Sequence, residues 1–317
     1  MFNLEDVNNI TIIGVGATVD MNAQGYKGEW RHNVNIVGST NITIKGLKSI
    51  RSGGDGFYIG RSSKNKKVYC ENITLDGVMA QSNRRQGLSI ISVKKCKVIN
   101  SKFLNTSGTA PAAGIDLEPD KPDEFLEDIL IRNCFFKHND GGGILFALPR
   151  LRSGARITVE IDRCKSIQDR YGILVVHRQQ PSTGKIRISN MTIEQSRLSA
   201  ILIADYEAGN APIEILSPKI VNPNMSKSTN KVNAAAISIG IAARAKDIGD
   251  VRIENMTLQE NVPRVPHALY VFDLKNQRTT IQRRVRFVNS KLTWNRKRGS
   301  AIQVSGDSEL QDRRELR

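Results

Sequence analysis

Apolar and polar residues alternate along this chain in short runs, and the runs recur. One phrase opens on Asn, Asp or Lys, alternates for four residues and closes on Gly or Asn. It reads Asn9-Ile-Thr-Ile-Ile-Gly, Asn41-Ile-Thr-Ile-Lys-Gly and Asn72-Ile-Thr-Leu-Asp-Gly, then Asp128-Ile-Leu-Ile-Arg-Asn, Lys185-Ile-Arg-Ile-Ser-Asn and Asp250-Val-Arg-Ile-Glu-Asn. A second phrase is a small residue followed by apolar, variable, apolar. It runs from Gly56-Phe-Tyr-Ile, Gly87-Leu-Ser-Ile and Gly114-Ile-Asp-Leu through Gly143-Ile-Leu-Phe and Gly172-Ile-Leu-Val to Ala200-Ile-Leu-Ile, Ala236-Ile-Ser-Ile, Ala268-Leu-Tyr-Val and Ala301-Ile-Gln-Val. Its first apolar residues fall at 57, 88, 115, 144, 173, 201, 237, 269 and 302, so the unit is 27 to 36 residues long.

Alternation with period two over four or five residues is the mark of a strand, and Gly, Asn and Ser punctuate each run. Short strands in a unit of this size cannot bury themselves one unit at a time; stacking the units gives one continuous core. The pattern predicts an all-β, right-handed parallel β-helix, a solenoid of about ten coils. It forms a single domain over residues 1–305, with a polar, flexible tail over 306–317. Helices long enough for a crossover barrel or doubly wound sheet are absent from the pattern, and no leucine ladder marks a leucine-rich repeat.

Composition narrows the partners. The 317 residues are 39% hydrophobic and only 5% aromatic, with a formal net charge of +16. No apolar run is long enough to span a membrane. The charge is densest at Arg283, Arg284, Arg286, Arg296, Lys297, Arg298, Arg313, Arg314 and Arg317; it implies an anionic partner or a surface that repels its own kind, the plain alternative being a solvated charged face. Nucleic acid is an unlikely partner, because no set of stacking aromatics accompanies the basic residues. No signal peptide is visible at Met1. Terminal coils normally need a cap, so coils or a cap are expected upstream, and the setting expected is secreted or phage-associated. Of the four cysteines, Cys134 and Cys164 hold the same place in neighbouring units and are read as stacked, reduced side chains.

Neighbouring side chains on a strand point to opposite faces. The variable residue of the second phrase therefore points outward. Coil by coil that column reads Asn35, Tyr58, Ser89, Asp116, Leu145, Leu174, Leu202, Ser238, Tyr270 and Gln303. The early coils give a polar groove and the middle coils an apolar strip. Leu145, Leu174 and Leu202 would be covered by a long turn or by another subunit, as in a homotrimer. His32, Asp55 and Gln86 enter the same face two residues ahead of the first apolar position, with Arg84 and Arg85 alongside, and Glu118 follows Asp116 by two. Acids, a phenol, a His and an Arg converging on one face are the signature of a site. The plain structural alternatives are a turn role for Asp55 and a cross-coil ion pair between Arg85 and Asp116. His177 and Arg178, at the end of a later strand, are further substrate-binding candidates; Lys94 and Lys95 are alternative bases.

The segments Glu29-Trp-Arg-His, Gly53-Gly-Asp-Gly-Phe-Tyr-Ile-Gly, Arg85-Gln-Gly-Leu-Ser-Ile-Ile-Ser and Gly108-Thr-Ala-Pro-Ala-Ala-Gly-Ile-Asp-Leu-Glu-Pro resemble the pectate-lyase-like right-handed β-helix proteins of bacteria and their phages. They look most like members allied to alginate-type polysaccharide lyases. The repeat resemblance covers nearly the whole chain, and the sharper motifs roughly residues 29–120. The resemblance implies a carbohydrate-active enzyme on an acidic, uronate-containing polysaccharide, with no cofactor required. The Gly-His-Gly pattern of polygalacturonases and the Asp-Pro-His motif of mannuronan epimerases are both missing; the comparable Gly-Phe stretch continues Tyr58-Ile-Gly. A lyase must neutralise the uronate carboxylate, remove the C5 proton and protonate O4. Arg85 and Gln86 suit the first task, His32 the second and Tyr58 the third, with Asp55, Arg84 and Ser89 binding substrate. Asp116 and Glu118 would instead serve as acid and base in a glycoside hydrolase, or as ligands for Ca²⁺. A third reading is a non-catalytic glycan-binding module of the phage tailspike type.

Overall fold

In a computed structural model, which describes residues 1–275, 284–293 and 302–304, the repeat becomes three parallel sheets wound into a right-handed β-helix. Each coil contributes one strand to each sheet. Among the described residues the first sheet holds eleven strands and the other two ten each. Phe57–Gly60, Leu88–Ile90, Ile115–Leu117 and Gly142–Ala147 lie side by side in the first sheet. The second phrase builds this sheet and the first phrase builds the second. The third sheet is made of three-residue strands such as Lys102–Leu104 and Phe135–Lys137. The register pairs Phe57 with Leu88, Leu88 with Ile115, Ile115 with Ile144, and so on to Leu269 with Ile302. One residue range escaped the pattern: Phe2–Glu5 is already a first-sheet strand, pairing with Val34–Val37. Arg283, the basic residues from 294 onward and the tail over 306–317 lie outside the described residues.

Two local features shape the coil. The Asn or Gly that closes the first phrase turns the corner between the second and third sheets in the left-handed region. Gly46 and Gly77 have φ of 68° and 64°, and Asn100, Asn133 and Asn190 between 53° and 54°. Only Gly adopts this conformation freely; Asn tolerates it best among the rest. The Gly that opens the second phrase has a different reason. A Cβ on Gly56 would stand 2.7 Å from the carbonyl oxygen of Gly87, one on Gly87 2.4 Å from that of Gly114, and one on Gly114 2.6 Å from that of Gly143. The coils approach backbone to backbone along this column. The stacked rings of Phe103 and Phe136, 5.4 Å apart, pack against the same glycines.

The interior is a continuous stack of Ile, Val and Leu from all three sheets. Cys134 and Cys164 are stacked as expected, the Cys134 amide donating to the Cys164 Sγ at 3.4 Å; all four cysteines are buried free thiols. The leucine strip is covered from within the chain. The longest unit, between 201 and 237, carries a single helical turn, Lys231–Ala234, capped by Asn230. Val232 and Ala235 from this segment pack with Leu174, Leu202, Tyr270 and Phe272 into a second apolar cluster, and the Tyr171 hydroxyl bonds Asn233. Leu145 and Leu202 are buried and Leu174 half-buried.

The glycine column makes a specific demand. Gly114→Ala is expected to lower the unfolding free energy by about 1–3 kcal/mol through overpacking against the next coil. Gly25→Ala, where a Cβ meets nothing within 4 Å, should leave it unchanged. Urea denaturation of the two variants checks this; equal midpoints would show that the column tolerates a methyl group.

Candidate functional site

The register sets Tyr58, Ser89 and Asp116 side by side on the outer face of the first sheet. Adjacent coils are about 4.8 Å apart, so the three groups form one row. The turns that feed these strands fold over the row. Most of it is therefore buried rather than open: Asp55, Gln86, Ser89 and Asp116 have no solvent exposure, and Tyr58 and His32 are mostly covered. Glu29, Arg85 and Glu118 form the accessible rim.

Arg85 is the hub. Its guanidinium reaches Glu118 at 2.9 Å, Glu29 at 3.3 Å and Asp55 at 3.4 Å. The expected pair with Asp116 does not form; Gln86 takes that place, its Nε2 donating to Asp116 Oδ2 at 2.7 Å while its Oε1 accepts the Ala113 amide. Ser89 donates its hydroxyl to Asp55 Oδ2 at 2.8 Å. Asp55 is thus more than a turn residue, since it bridges its own coil to the next. Both buried acids bond through Oδ2 and leave Oδ1 without a partner.

The electrostatics follow from burial. Four carboxyls crowd around one guanidinium, and two of them have no water. Burial pushes Asp55 up to about 7, against the pull of Arg85 and Ser89. Burial, with the Glu118 carboxyl beside it, pushes Asp116 well above the carboxylate range. A protonated Asp would carry its hydrogen on the unpartnered Oδ1. His32 stacks on Tyr58 with ring centroids 4.6 Å apart. Its Nδ1 accepts the Asp55 backbone N–H at 3.0 Å, so the 3.3 Å approach of Asp55 Oδ2 to the same atom is not an ion pair. Burial, aided by Arg85, lowers His32 to about 4 and keeps the ring neutral. That tautomer puts the ring hydrogen on Nε2 and makes His32 a donor. Burial and the acids Asp120, Glu124 and Asp55 raise the Tyr58 phenol above its usual value. Its ring lies over Gly60, where a Cβ would be 2.7 Å from Tyr58 Cε1.

The other candidates fall elsewhere. Arg84 turns its guanidinium to the Tyr26 carbonyl. Arg178, expected to bind substrate, is fully buried; it donates to the carbonyls of Leu148, Leu151, Arg152 and Pro181 and to Asn210, so it staples a turn. His177 lies three coils beyond Ser89 and approaches Asp205 at 3.7 Å. Lys94 belongs to the second sheet, its ammonium over the Phe125 ring at 4.0 Å and 3.7 Å from Glu127; Lys95, on the same strand, approaches Glu71 at 3.6 Å. Sequence reasoning did not single out Glu29; its place beside His32 in Glu29-Trp-Arg-His was the available signal. Two shallow depressions of about 270 and 390 Å³ lie on the second sheet, away from the cluster. Their charged walls are largely ion-paired, as Arg187 and Lys185 are with Glu214.

Residues 6–182, more than half of the chain, match the family described as right-handed β-helix region. The chain belongs to that family. This β-helix protein also superposes on solved structures at low identity. The A-module of Azotobacter vinelandii mannuronan C-5 epimerase AlgE6 gives a TM-score of 0.59 at 13% identity, over 97% of this chain and 80% of that one. The Dettilon tailspike protein gives 0.54 at 13%, over 96% and 61%. The Yersinia enterocolitica family 28 exopolygalacturonase gives 0.53 at 13%, over 87% and 48%. At such identities the likeness establishes the fold. No curated protein matches the sequence.

The two buried ionisable groups give opposite pH signatures. Asp55, raised in the folded state, binds a proton that the unfolded chain has lost above pH ~4, so its contribution falls as pH rises from about 4 to 7. His32, lowered when folded, makes stability rise with pH between about 4 and 6.5. Asp55→Asn should therefore gain stability relative to the parent as pH rises through its window, and His32→Gln should lose it. Each difference is bounded by roughly 4 kcal/mol, at about 1.4 kcal/mol per pKa unit. Thermal midpoints across that pH range test this, and curves parallel to the parent's would mean these groups titrate normally.

Proposed function

We propose that this β-helix protein cleaves glycosidic bonds in a polysaccharide lying across the first sheet, by carboxyl acid–base chemistry at Asp116 and Glu118. The observation that carries the reading is the pairing of a buried, proton-retaining Asp116 with an accessible Glu118 fixed by Arg85. Hydrolysis needs one carboxyl that holds a proton near neutral pH and one that is ionised. Here burial supplies the first, and Glu118, held at 2.9 Å by Arg85, is the second carboxyl. Glu118, at the rim, takes the proton of the attacking water and Asp116 gives its own to the leaving glycosidic oxygen; Asp116 has no exposed surface, so the reaction requires the turns over the row to admit the sugar. Tyr58 and the His32 Nε2–H are donors for sugar oxygens, and Asp55 fixes the position of Arg85 and Ser89.

Elimination on a uronate polymer is the second reading. The net charge of +16 and the Tyr58 phenol placed beside His32 favour it. It asks Arg85 to turn from a carboxylate of its own to that of the substrate, with Glu29, the most exposed of its partners, the one to give way. Calcium at Asp116 and Glu118 would likewise have to displace Gln86 and Arg85. Among the described residues no group of three or more His, Cys, Asp or Glu is disposed to hold a metal ion.

Alginate, pectate, hyaluronan, chondroitin and a neutral glucan, each incubated with the protein, separate the readings. New reducing ends without an unsaturated product mean hydrolysis. Asp116→Asn and Glu118→Gln should then each reduce kcat about a hundredfold or more, with His32→Gln affecting it less. Ultraviolet absorbance from an unsaturated uronate would mean elimination, with Tyr58→Phe the more damaging change. Binding without products of either kind would sink both enzymatic readings in favour of a glycan-binding module.

A further inference from the structure

The loop over residues 22–32 borders the acid cluster, and it carries an aromatic side chain that the fold does not use. Trp30 is 77% exposed. A lone exposed apolar residue is unremarkable by itself, but this one sits on a pinned loop. A Cβ on Gly54 would stand 2.2 Å from the Glu29 carbonyl oxygen and 3.0 Å from the Arg31 amide; one on Gly53 would stand 2.9 Å from Tyr26 Cβ. The backbone on both sides of Trp30 thus lies directly on the Gly53–Gly54 backbone, in contact that side chains there would prevent. Arg84 holds the Tyr26 carbonyl, and Glu29 is tied to Arg85. Packing and hydrogen bonds fix the loop, yet the indole is left bare.

Its position relates it to the cluster. Trp30 follows Glu29, a partner of Arg85, and precedes by two residues His32, which stacks on Tyr58. Two residues span at most about 7 Å, so the Trp30 α-carbon stands within that distance of the His32 α-carbon. Tyr26, 37% exposed, shares the loop. Lys27 and Arg31, both exposed, flank Trp30. A flat apolar face on a loop that also carries exposed cations complements a pyranose ring bearing a carboxylate: the ring's C–H face packs on the indole and the loop's charge favours the carboxylate.

We infer that Trp30 is the stacking platform of a sugar subsite beside the acid cluster, and that with Arg31 and Lys27 it selects an acidic sugar residue. The inference rests on the glycan-cleaving reading above and deepens it by naming the substrate class. It also separates two tasks that the cluster by itself sets in conflict. The rim carboxyls of Glu29 and Glu118 oppose a polyanion; cations on the bordering loop attract it without entering the cluster.

The chain contains two tryptophans, so Trp294→Phe makes Trp30 the sole indole. In that background, titration with alginate, polygalacturonate, hyaluronan or chondroitin sulfate should shift Trp30 emission to the blue, saturably, with at least one polymer and not with dextran. Calorimetry with that polymer should show affinity falling about tenfold or more in Trp30→Ala, less in Trp30→Phe, with Arg31→Gln weakening binding in a salt-dependent way. An acidic polymer that binds with emission unmoved and Trp30→Ala unimpaired would overturn the platform while leaving the glycan-cleaving reading intact. Equal shifts with dextran would overturn the acidic class. No binding by any of the acidic polymers would overturn the subsite, whereas failure of the cleavage reading shows separately as the absence of products from every polymer, neutral ones included.

Discussion

The parallel register between coils is the constraint on which this molecule depends. Each strand must meet the next in step, because a slip of one residue would carry its core side chains to the surface and its polar ones inside. In the first sheet the step is enforced at the backbone. Gly56, Gly87, Gly114 and Gly143 bring successive coils so close that only hydrogen fits between each α-carbon and the next carbonyl. From that contact follow the stack of Phe103 on Phe136, the interior column of Ile and Leu, and the row of Tyr58, Ser89 and Asp116 on the opposite face.

The candidate site is the place where this regularity is spent on polar groups. A β-helix wall satisfies its own backbone, so it offers few spare donors to a carboxyl set against it. Asp55 and Asp116 find Ser89, Gln86 and the shared Arg85, but each keeps one oxygen unpartnered. Their raised pKa values follow from burial that these few bonds do not offset, and an acid that retains its proton is what glycosidic chemistry requires. The cluster is acidic inside a chain of strongly positive formal charge. The cations therefore lie elsewhere: on the bordering loop at Lys27 and Arg31, and on the second sheet, where Lys185 and Arg187 are paired with Glu214.

How much of this could be read in the sequence depended on the range of the interaction. The row of Tyr58, Ser89 and Asp116 was legible, because strand alternation fixes which residue faces outward and the repeat fixes which residues are neighbours. The entry of His32, Asp55 and Gln86 onto the same face was legible for the same reason. The partners were not. Arg85 turned to Glu29 and Glu118, and Gln86 to Asp116, through turns whose path has no period. Arg178 looked like a surface residue beside His177, yet the turn over 148–152 folds above it and buries it among carbonyls. The leucine strip was visible, whereas its cover came from the helical turn Lys231–Ala234 in the longest unit.

The sequence by itself therefore determined the coil, its length, its Gly and Asn corners and which strand residues face outward. These are local properties, repeated often enough that backbone sterics and period-two burial leave one solution. Only the tertiary structure decided which outward side chains keep water and which lose it. That outcome rests on irregular turns packing over the sheet, where each contact occurs once. Loss of water makes Asp55 and Asp116 proton-retaining acids, whereas Trp30 on the neighbouring loop keeps its water.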